Sequence, residues 1–547
     1  MRAQPSQAAR RAVTLRLRWQ GLLARHPRSG HIALALAGAL SALGFAPFYW
    51  LPCPAVGLTL FLWATLGATR RRQATLRGLS WGWGFFLAGN YWIANSFLVE
   101  ADRFAWMIPL MVGGLALFLS FYPAIIALLC WSARPRPAIQ SWLLFAVLWT
   151  GAEYARGHIL TGYPWNLLAY VWGFSALPMQ GAALVGSWGM SLTSCLLLTA
   201  AVLAEPLGAR RALAVAAGLL ALILAPGVRL WLHPVEDTAI RLRLVQPALP
   251  EAERVTGRYA WDHLAILSDL TRAPAGGAPV QAVIWPEAAI EMLIERDADL
   301  RSLLGGLAPR NGYLLTGAVH GVPLTGPLDK IWNSLAVIDD RGVVQAFADK
   351  AHLVPLGEYV PGRSWLPFID KVTPGALDFS SGQGHSTVTA PGLPPFTPLI
   401  CYEVIFPGEI IDSDHRPAWL LNITNDGWFG DSTGPYQHFA SARFRAVEEG
   451  LPLIRVANTG ISAVIDPLGR IRTKLDLNTR AVRDVFLPKM LDSTPFSWAG
   501  VWPTLGIAIM VIVTFFWRGL TKVLSLFMRI ITRTVALMVA GSEGGKG

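Results

Sequence analysis

Carboxylates are almost missing from the first half of this chain. Between residues 29 and 233 only Glu100, Asp102, Glu153 and Glu205 are acidic. Charge is scarce throughout: 15% of the 547 residues are Asp, Glu, Lys or Arg, against about a quarter in soluble proteins, while 53% are hydrophobic. An ordinary soluble enzyme is thereby excluded. Cysteine is scarce too. Cys53, Cys130, Cys195 and Cys401 form no CxxC pair, which excludes a disulfide framework, a redox pair and a thiolate metal centre. The net charge of +11 also dissolves on inspection. Seven arginines and no acid in residues 1–30 give +7, and the stretch from Arg518 onward adds +4. Basicity confined to two tails is a signal of membrane topology and leaves no nucleic-acid face.

What the chain does have is membrane-length apolar runs, since a bilayer core takes about 20 residues of helix. They cover 31–48, 51–69, 78–98, 105–131, 138–155, 180–204 and 212–232, with an eighth at 499–521. The basic start followed by an apolar run resembles a cleaved leader, but Pro47 and the immediate second run favour an uncleaved first span. Arg70-Arg71-Arg72, Arg134 with Arg136, and Arg210-Arg211 fall on the side of the basic N-terminal tail if every run spans. The positive-inside rule then places both tails in the cytoplasm and residues 239–490 outside. The organisation expected is a basic tail (1–30), seven transmembrane helices (31–232), a soluble domain (239–490), an eighth helix (499–521) and a second basic tail (523–547). In that last tail Ser525–Ala540, interrupted by Arg529 and Arg533, reads as an interfacial amphipathic helix. Two membrane features carry open readings. The Trp- and Tyr-rich loop 157–178 serves either as an interfacial anchor or as a wall of a lipid-entry site. Glu153 and Arg156, three apart on one helical face, form either a structural pair or a substrate contact.

Within 239–490 strand signals alternate with helical ones. Strands are expected at 240–245, 282–285, 313–319, 334–338, 398–401, 419–423, 453–457 and 462–465, and helices near 252–272, 298–309 and 436–449. This is an α/β layered pattern. Segments 321–332 and 354–397 read as long loops, where function concentrates.

Three polar residues sit at or just beyond strand ends, where side chains of layered α/β folds converge on ligands. Glu287 follows Ala-Val-Ile-Trp-Pro, Lys350 follows Phe-Ala-Asp, and Cys401 closes Pro-Leu-Ile. A thiol needs a base or a cation to become a ready nucleophile. A carboxylate can take its proton, and an ammonium can stabilise the oxyanion formed when a carbonyl is attacked. Attack on an ester gives a thioester, which amines attack more readily than an ordinary ester. Each residue alone reads as readily as core, turn or solvated surface.

The wording around them is more specific. Trp285-Pro286-Glu287, the run Lys350 to Pro361 (KAHLVPLGEYVP), Cys401-Tyr402-Glu403 and Asn425–Gly430 (NDGWFG) resemble the Glu-Lys-Cys blocks of the nitrilase superfamily, in the same order. Set after seven spans and before one, with Gly162-Tyr163-Pro164-Trp165 in an outer loop, the pattern is similar to the apolipoprotein N-acyltransferase family over about residues 31–521. The resemblance implies an eight-span bundle carrying a four-layer α-β-β-α nitrilase-like domain on the periplasmic face of the bacterial inner membrane. It implies Glu287 as general base, Lys350 as oxyanion stabiliser and Cys401 as nucleophile. Glu358 would support the lysine, Tyr402 and Glu403 would shape the nucleophile's pocket, and Trp428 would lie on a loop near the site. It further implies a phospholipid acyl donor (phosphatidylethanolamine), a diacylated lipoprotein acceptor and membrane lipid as partners, in a monomer with no cofactor, metal or nucleic acid. Two rivals stand beside it: a membrane-anchored amidase of the same superfamily, and a ligand-binding membrane protein without chemistry.

Overall fold

The computed structural model describes residues 7–513, apart from 134–136, 275–278, 364–370, 372, 374 and 376. Residues 514–521 of the run 499–521, and the tail 523–547, lie outside the described residues. A helix stands on each of the first seven runs: Pro27–Ala42, Pro52–Leu66, Arg71–Asn90, Ala101–Ser132, Ala138–His158, Ala182–Leu207 and Ala209–Leu232. By length and composition three of the described helices can cross a membrane, namely Ala101–Ser132, Ala182–Leu207 and Ala209–Leu232. Pro52–Leu66 and Trp502–Val513 are apolar but shorter. The third helix starts seven residues before its expected run, so Arg71 and Arg72 belong to its first turn and not to a loop.

Small residues set the bundle's packing. A Cβ on Gly38 would stand 2.0 Å from the Trp81 carbonyl oxygen, and one on Gly84 would stand 1.9 Å from that of Ala35. Helices Pro27–Ala42 and Arg71–Asn90 therefore touch backbone to backbone, the close approach that small residues permit between apolar helices. Phe61, Trp81, Phe85 and Trp149 stack around that contact.

Beyond the bundle, the described residues Asp237–Pro488 form two six-stranded sheets. The strands are β1 (Asp237–Gln246), β2 (Ala282–Ile284), β3 (Tyr313–Val322), β4 (Lys330–Asp339), β5 (Val344–Asp349), β6 (Val388–Ala390), β7 (Leu393–Ile400), β8 (Trp419–Thr424), β9 (Leu453–Ala457), β10 (Ser462–Ile465), β11 (Ile471–Leu475) and β12 (Ala481–Pro488). One sheet runs β12-β1-β2-β3-β4-β5 and the other β11-β10-β9-β8-β7-β6. Period-two alternation explains the layering. Leu242, Leu244, Ile284, Phe396, Leu421 and Ile423 point between the sheets into one core. Their neighbours Val245 and Val283 face helices Ala260–Arg272 and Ala298–Gly305, and Leu399 and Leu420 face helix Gly434–Glu449. The result is the expected α-β-β-α sandwich. Four expectations shift. The long loop 354–397 is cut short by β6 and by β7, which starts at Leu393, and the helix near 252–272 is split into Glu251–Arg254 and Ala260–Arg272. The loop at 321–332 is shorter, because β3 and β4 extend as a paired hairpin to Val322 and Lys330. Cys401 lies just past β7, opening a short 3-10 turn that ends at Ile405.

Candidate active site

Three of the strands that end at the same rim each deliver a polar side chain to it, the common location of ligand sites in layered α/β folds. Glu287 follows β2, Lys350 follows β5 and Cys401 follows β7. All three are buried. Lys350 Nζ lies 2.9 Å from Glu358 Oε1 and 3.4 Å from Glu287 Oε1. Burial works against its positive charge, but the carboxylates of Glu358 and Glu287 outweigh that cost and raise its pKa above the ordinary lysine range. The site therefore holds a fixed ammonium.

Cys401 is the reverse case. Burial first, and the Glu287 carboxylate second, push its thiol above the ordinary cysteine range, with Lys350 pulling the other way. At rest it is a neutral thiol, so attack on a carbonyl requires a base within reach. Its backbone is held at φ +52°, in the left-handed region that non-glycine residues rarely occupy. Two neighbours secure that turn. Glu403 Oε2 accepts from the Ile400 amide at 2.6 Å, and His438 Nε2 donates to the Cys401 carbonyl at 3.1 Å. Glu403 Oε1 also accepts from the amides of Ala351 and His352, at 2.7 and 3.0 Å. One carboxylate thus ties the Cys401 turn to the Lys350 loop.

The remaining expected residues divide. Glu358 is in contact with the lysine, and its Oε2 accepts from the Val354 amide at 2.8 Å. Tyr402 points to the bundle, its hydroxyl donating to the Gly162 carbonyl at 2.9 Å. Trp428 is half-buried on the 3-10 turn Asp426–Phe429, and its carbonyl accepts from Ser96 Oγ at 2.9 Å. The Trp428–Phe429 end of that turn is fastened to the bundle, while its Asn425–Asp426 end is tied to the Glu-Lys-Cys cluster.

Asn333, Glu251, His438 and Arg455 join the site without any motif around them, whereas Asn425 and Asp426 belong to the NDGWFG block. Asn333, inside β4, donates through Nδ2 to both Glu287 (2.8 Å) and Glu358 (2.9 Å), spacing the two carboxylates around the lysine. The Asn425 amide donates to Glu287 Oε2 at 2.8 Å, and its side chain reaches Glu251 at 2.7 Å. Behind Cys401, Asp426 meets His438 Nδ1 at 2.9 Å and Arg455 at 2.7 Å. Burial opposes the Asp426 charge, yet Arg455 and His438 lower its pKa to about 2. The polar pair Asn333-Ser334 inside an otherwise apolar run, Ile331-Trp332 before it and Leu335–Ile338 after it, is the one hint that could have flagged Asn333.

The bundle completes one wall. Arg156 donates from Nη1 to the carbonyls of Tyr163 and Trp165, both at 2.7 Å, while Glu153 accepts from the Leu168 amide at 2.9 Å. Glu153 and Arg156 are both structural, each clamping the outer loop, and no direct ion pair joins them among the described contacts. The clamped loop reaches the domain through Thr161 to His352, Gly162 to Tyr402 and Trp165 to Gln437. Trp165 and Trp172 are buried, so these two rings pack inside the protein and do not sit at the headgroup level.

Comparison with known proteins agrees with both halves. A family model for the apolipoprotein N-acyltransferase N-terminal domain matches residues 37–202, and one for carbon-nitrogen hydrolases matches 241–493. The chain is 39% identical to the apolipoprotein N-acyltransferase of Rhodopseudomonas palustris over 523 residues, 90% of this chain and 96% of that one. It is 38% identical to that of Bradyrhizobium diazoefficiens, covering 85% and 90% of the two chains. It is 34% identical to that of Rickettsia prowazekii, covering 86% and 94%.

Proposed function

The chain belongs to the apolipoprotein N-acyltransferase family, and from that premise we propose that it moves an acyl chain from a phospholipid to the N-terminal amine of a diacylglyceryl-cysteine through a thioester on Cys401. The supporting observation is the Glu287-Lys350-Cys401 cluster, in which a neutral thiol, a carboxylate and a fixed ammonium share one buried space. In the first half-reaction Glu287 takes the Sγ proton as sulfur attacks the ester carbonyl of the donor, phosphatidylethanolamine in this reading. Lys350 faces the oxyanion, and collapse expels the lysophospholipid oxygen, which receives the proton from Glu287. In the second, the lipoprotein amine attacks the thioester, Glu287 takes an amine proton, and the released thiolate is reprotonated. The amide forms and the enzyme is restored. Glu358 and Asn333 keep the lysine aimed, Tyr402 and Glu403 hold the nucleophile's turn against the bundle, and Trp428 lines the approach.

A thioester destined for an amine must be kept from water, so a pocket walled by an apolar bundle suits transfer better than hydrolysis. The orientation follows the same reading: eight spans, both basic tails cytoplasmic, and residues 239–490 on the periplasmic side of the inner membrane, with the enzyme acting as a monomer. The Arg-poor outer loop at the site and the Arg-rich opposite ends of the helices support it. Incubation of purified protein with phosphatidylethanolamine and a diacylated lipopeptide tests the reading. Triacylated lipopeptide should form with wild type and not with Cys401→Ala. Equal product from both would defeat it.

A further inference from the structure

A second chemical site lies at the far end of helix Arg71–Asn90, twenty residues and so about 30 Å of helix from the end that meets the catalytic domain. There a cavity of about 390 Å3 opens between that helix, helix Pro27–Ala42 and the end of the N-terminal helix Gln7–Arg25. Leu23, Gly30 and Leu34 form its buried apolar side. Arg77 lines it from within, 3% exposed, and its one hydrogen bond among the described residues runs from Nη1 to the Ala64 carbonyl at 2.7 Å. A guanidinium has five N–H donors, so Arg77, bonded once to the Ala64 carbonyl, has donors to offer an anion that enters the cavity it lines. Arg70 and Arg72 stand exposed at the rim. No carboxylate lines the cavity to neutralise these cations.

The apolar side discriminates between anions. A free phosphate would satisfy the arginines and leave the leucine wall wet. A phosphate carrying an acyl chain would cover both. A path for the chain continues from the mouth, where Leu76 and Trp83, seven residues apart on one helical face, are 38% and 41% exposed. We propose that this cavity binds an anionic phospholipid from the leaflet on the Arg-rich side, its headgroup phosphate on Arg77, Arg70 and Arg72 and an acyl chain along Leu76 and Trp83. The bound lipid would close the N-terminal helix onto the bundle through Leu23. That helix is already fastened by Trp19 to the Leu60 carbonyl (3.0 Å), Gln20 to the Trp63 carbonyl (3.1 Å) and an Arg16–Glu205 ion pair (2.8 Å). The site stands apart from acyl transfer and rests only on the bundle being embedded in lipid.

The test is native mass spectrometry of the full chain in detergent, in a Cys401→Ala background so that no acyl chain is consumed. Dioleoyl-phosphatidylglycerol, dioleoyl-phosphatidylcholine and glycerol 3-phosphate are titrated separately. Removing two surface cations in R70Q/R72Q should weaken phosphatidylglycerol binding about thirtyfold and leave phosphatidylcholine unchanged. Arg77→Met should do the same. If its thermal midpoint shows misfolding, the surface double variant decides alone, since neither rim arginine is buried. Unchanged phosphatidylglycerol affinity in R70Q/R72Q would overturn the proposal. So would glycerol 3-phosphate binding as tightly as the lipid, which would make the ligand a free phosphate ester.

Discussion

The two outer helical layers of the catalytic domain occupy equivalent places in the sandwich and live in opposite surroundings. Helix Ala260–Arg272 covers one sheet and turns its other face to solvent, with Trp261, Asp262, Ala265 and Asp269 exposed. Helix Gly434–Glu449 covers the other sheet and turns its second face to the bundle, so that all of it but Tyr436 is buried. Charges on the first helix sit in water. Charges on the second find partners inside the protein: Glu448 accepts from the Ser187 amide and hydroxyl across the interface at 2.7 and 2.6 Å and pairs with Arg445 of its own helix at 2.8 Å, and Arg443 donates to the Gly173 carbonyl across the interface at 2.5 Å. Each helix also carries a buried histidine. His263 meets Glu291 at 2.8 Å and the half-exposed Glu253, whereas His438 is closed in with Asp426 and Arg455 and touches the nucleophile's carbonyl. The layer that faces the bundle is thus the one wired to Cys401, which is the arrangement the proposed reaction needs if substrates arrive from the lipid side.

Breaking the bundle-facing layer should therefore cost most. Glu448→Ala strands Arg445 in a buried site and should destabilise the protein by about 3–5 kcal/mol, read as a lowered thermal midpoint in detergent. Next comes acid. The Asp426 carboxyl is depressed from 3.8 to about 2, so its contribution to stability is present above pH 4 and fades as pH falls toward 2. Asp426→Asn should remove a slope on the order of 2 kcal/mol between those limits, measured by unfolding at stepped pH. Gln437→Leu leaves the Trp165 indole N–H, now bonded at 2.7 Å, without its partner, and should cost about 1–3 kcal/mol. Asp262→Ala, on the solvent-facing helix, should move stability by less than about 0.5 kcal/mol. If Glu448→Ala and Asp262→Ala proved equally mild, the contrast between the layers would be wrong.

Legibility in the sequence followed the same physics. The eight strands expected from apolar runs are the eight interior ones. The four missed, β5, β6, β11 and β12, are the four sheet edges, where mixed exposure leaves only short or polar-interrupted segments. Glu287, Lys350, Cys401 and Glu358 were readable because they sit in dense local wording. Asn333, Glu251, His438 and Arg455 reach the site from separate elements, and nothing in the chain near them announces a partner more than a hundred residues away for Glu251. The interface charges of Gly434–Glu449 were unreadable for another reason: an amphipathic pattern assumes water on one face, and here a second apolar body takes its place.

Whether Cys401 carries the acyl group can be read by intact-protein mass spectrometry after incubation with phosphatidylethanolamine. Wild type should gain the mass of one acyl chain, removable by hydroxylamine and discharged by a diacylated lipopeptide, while Cys401→Ala gains nothing. An adduct of equal yield on Cys401→Ala, or none on folded wild type that still acylates the peptide, would contradict the account.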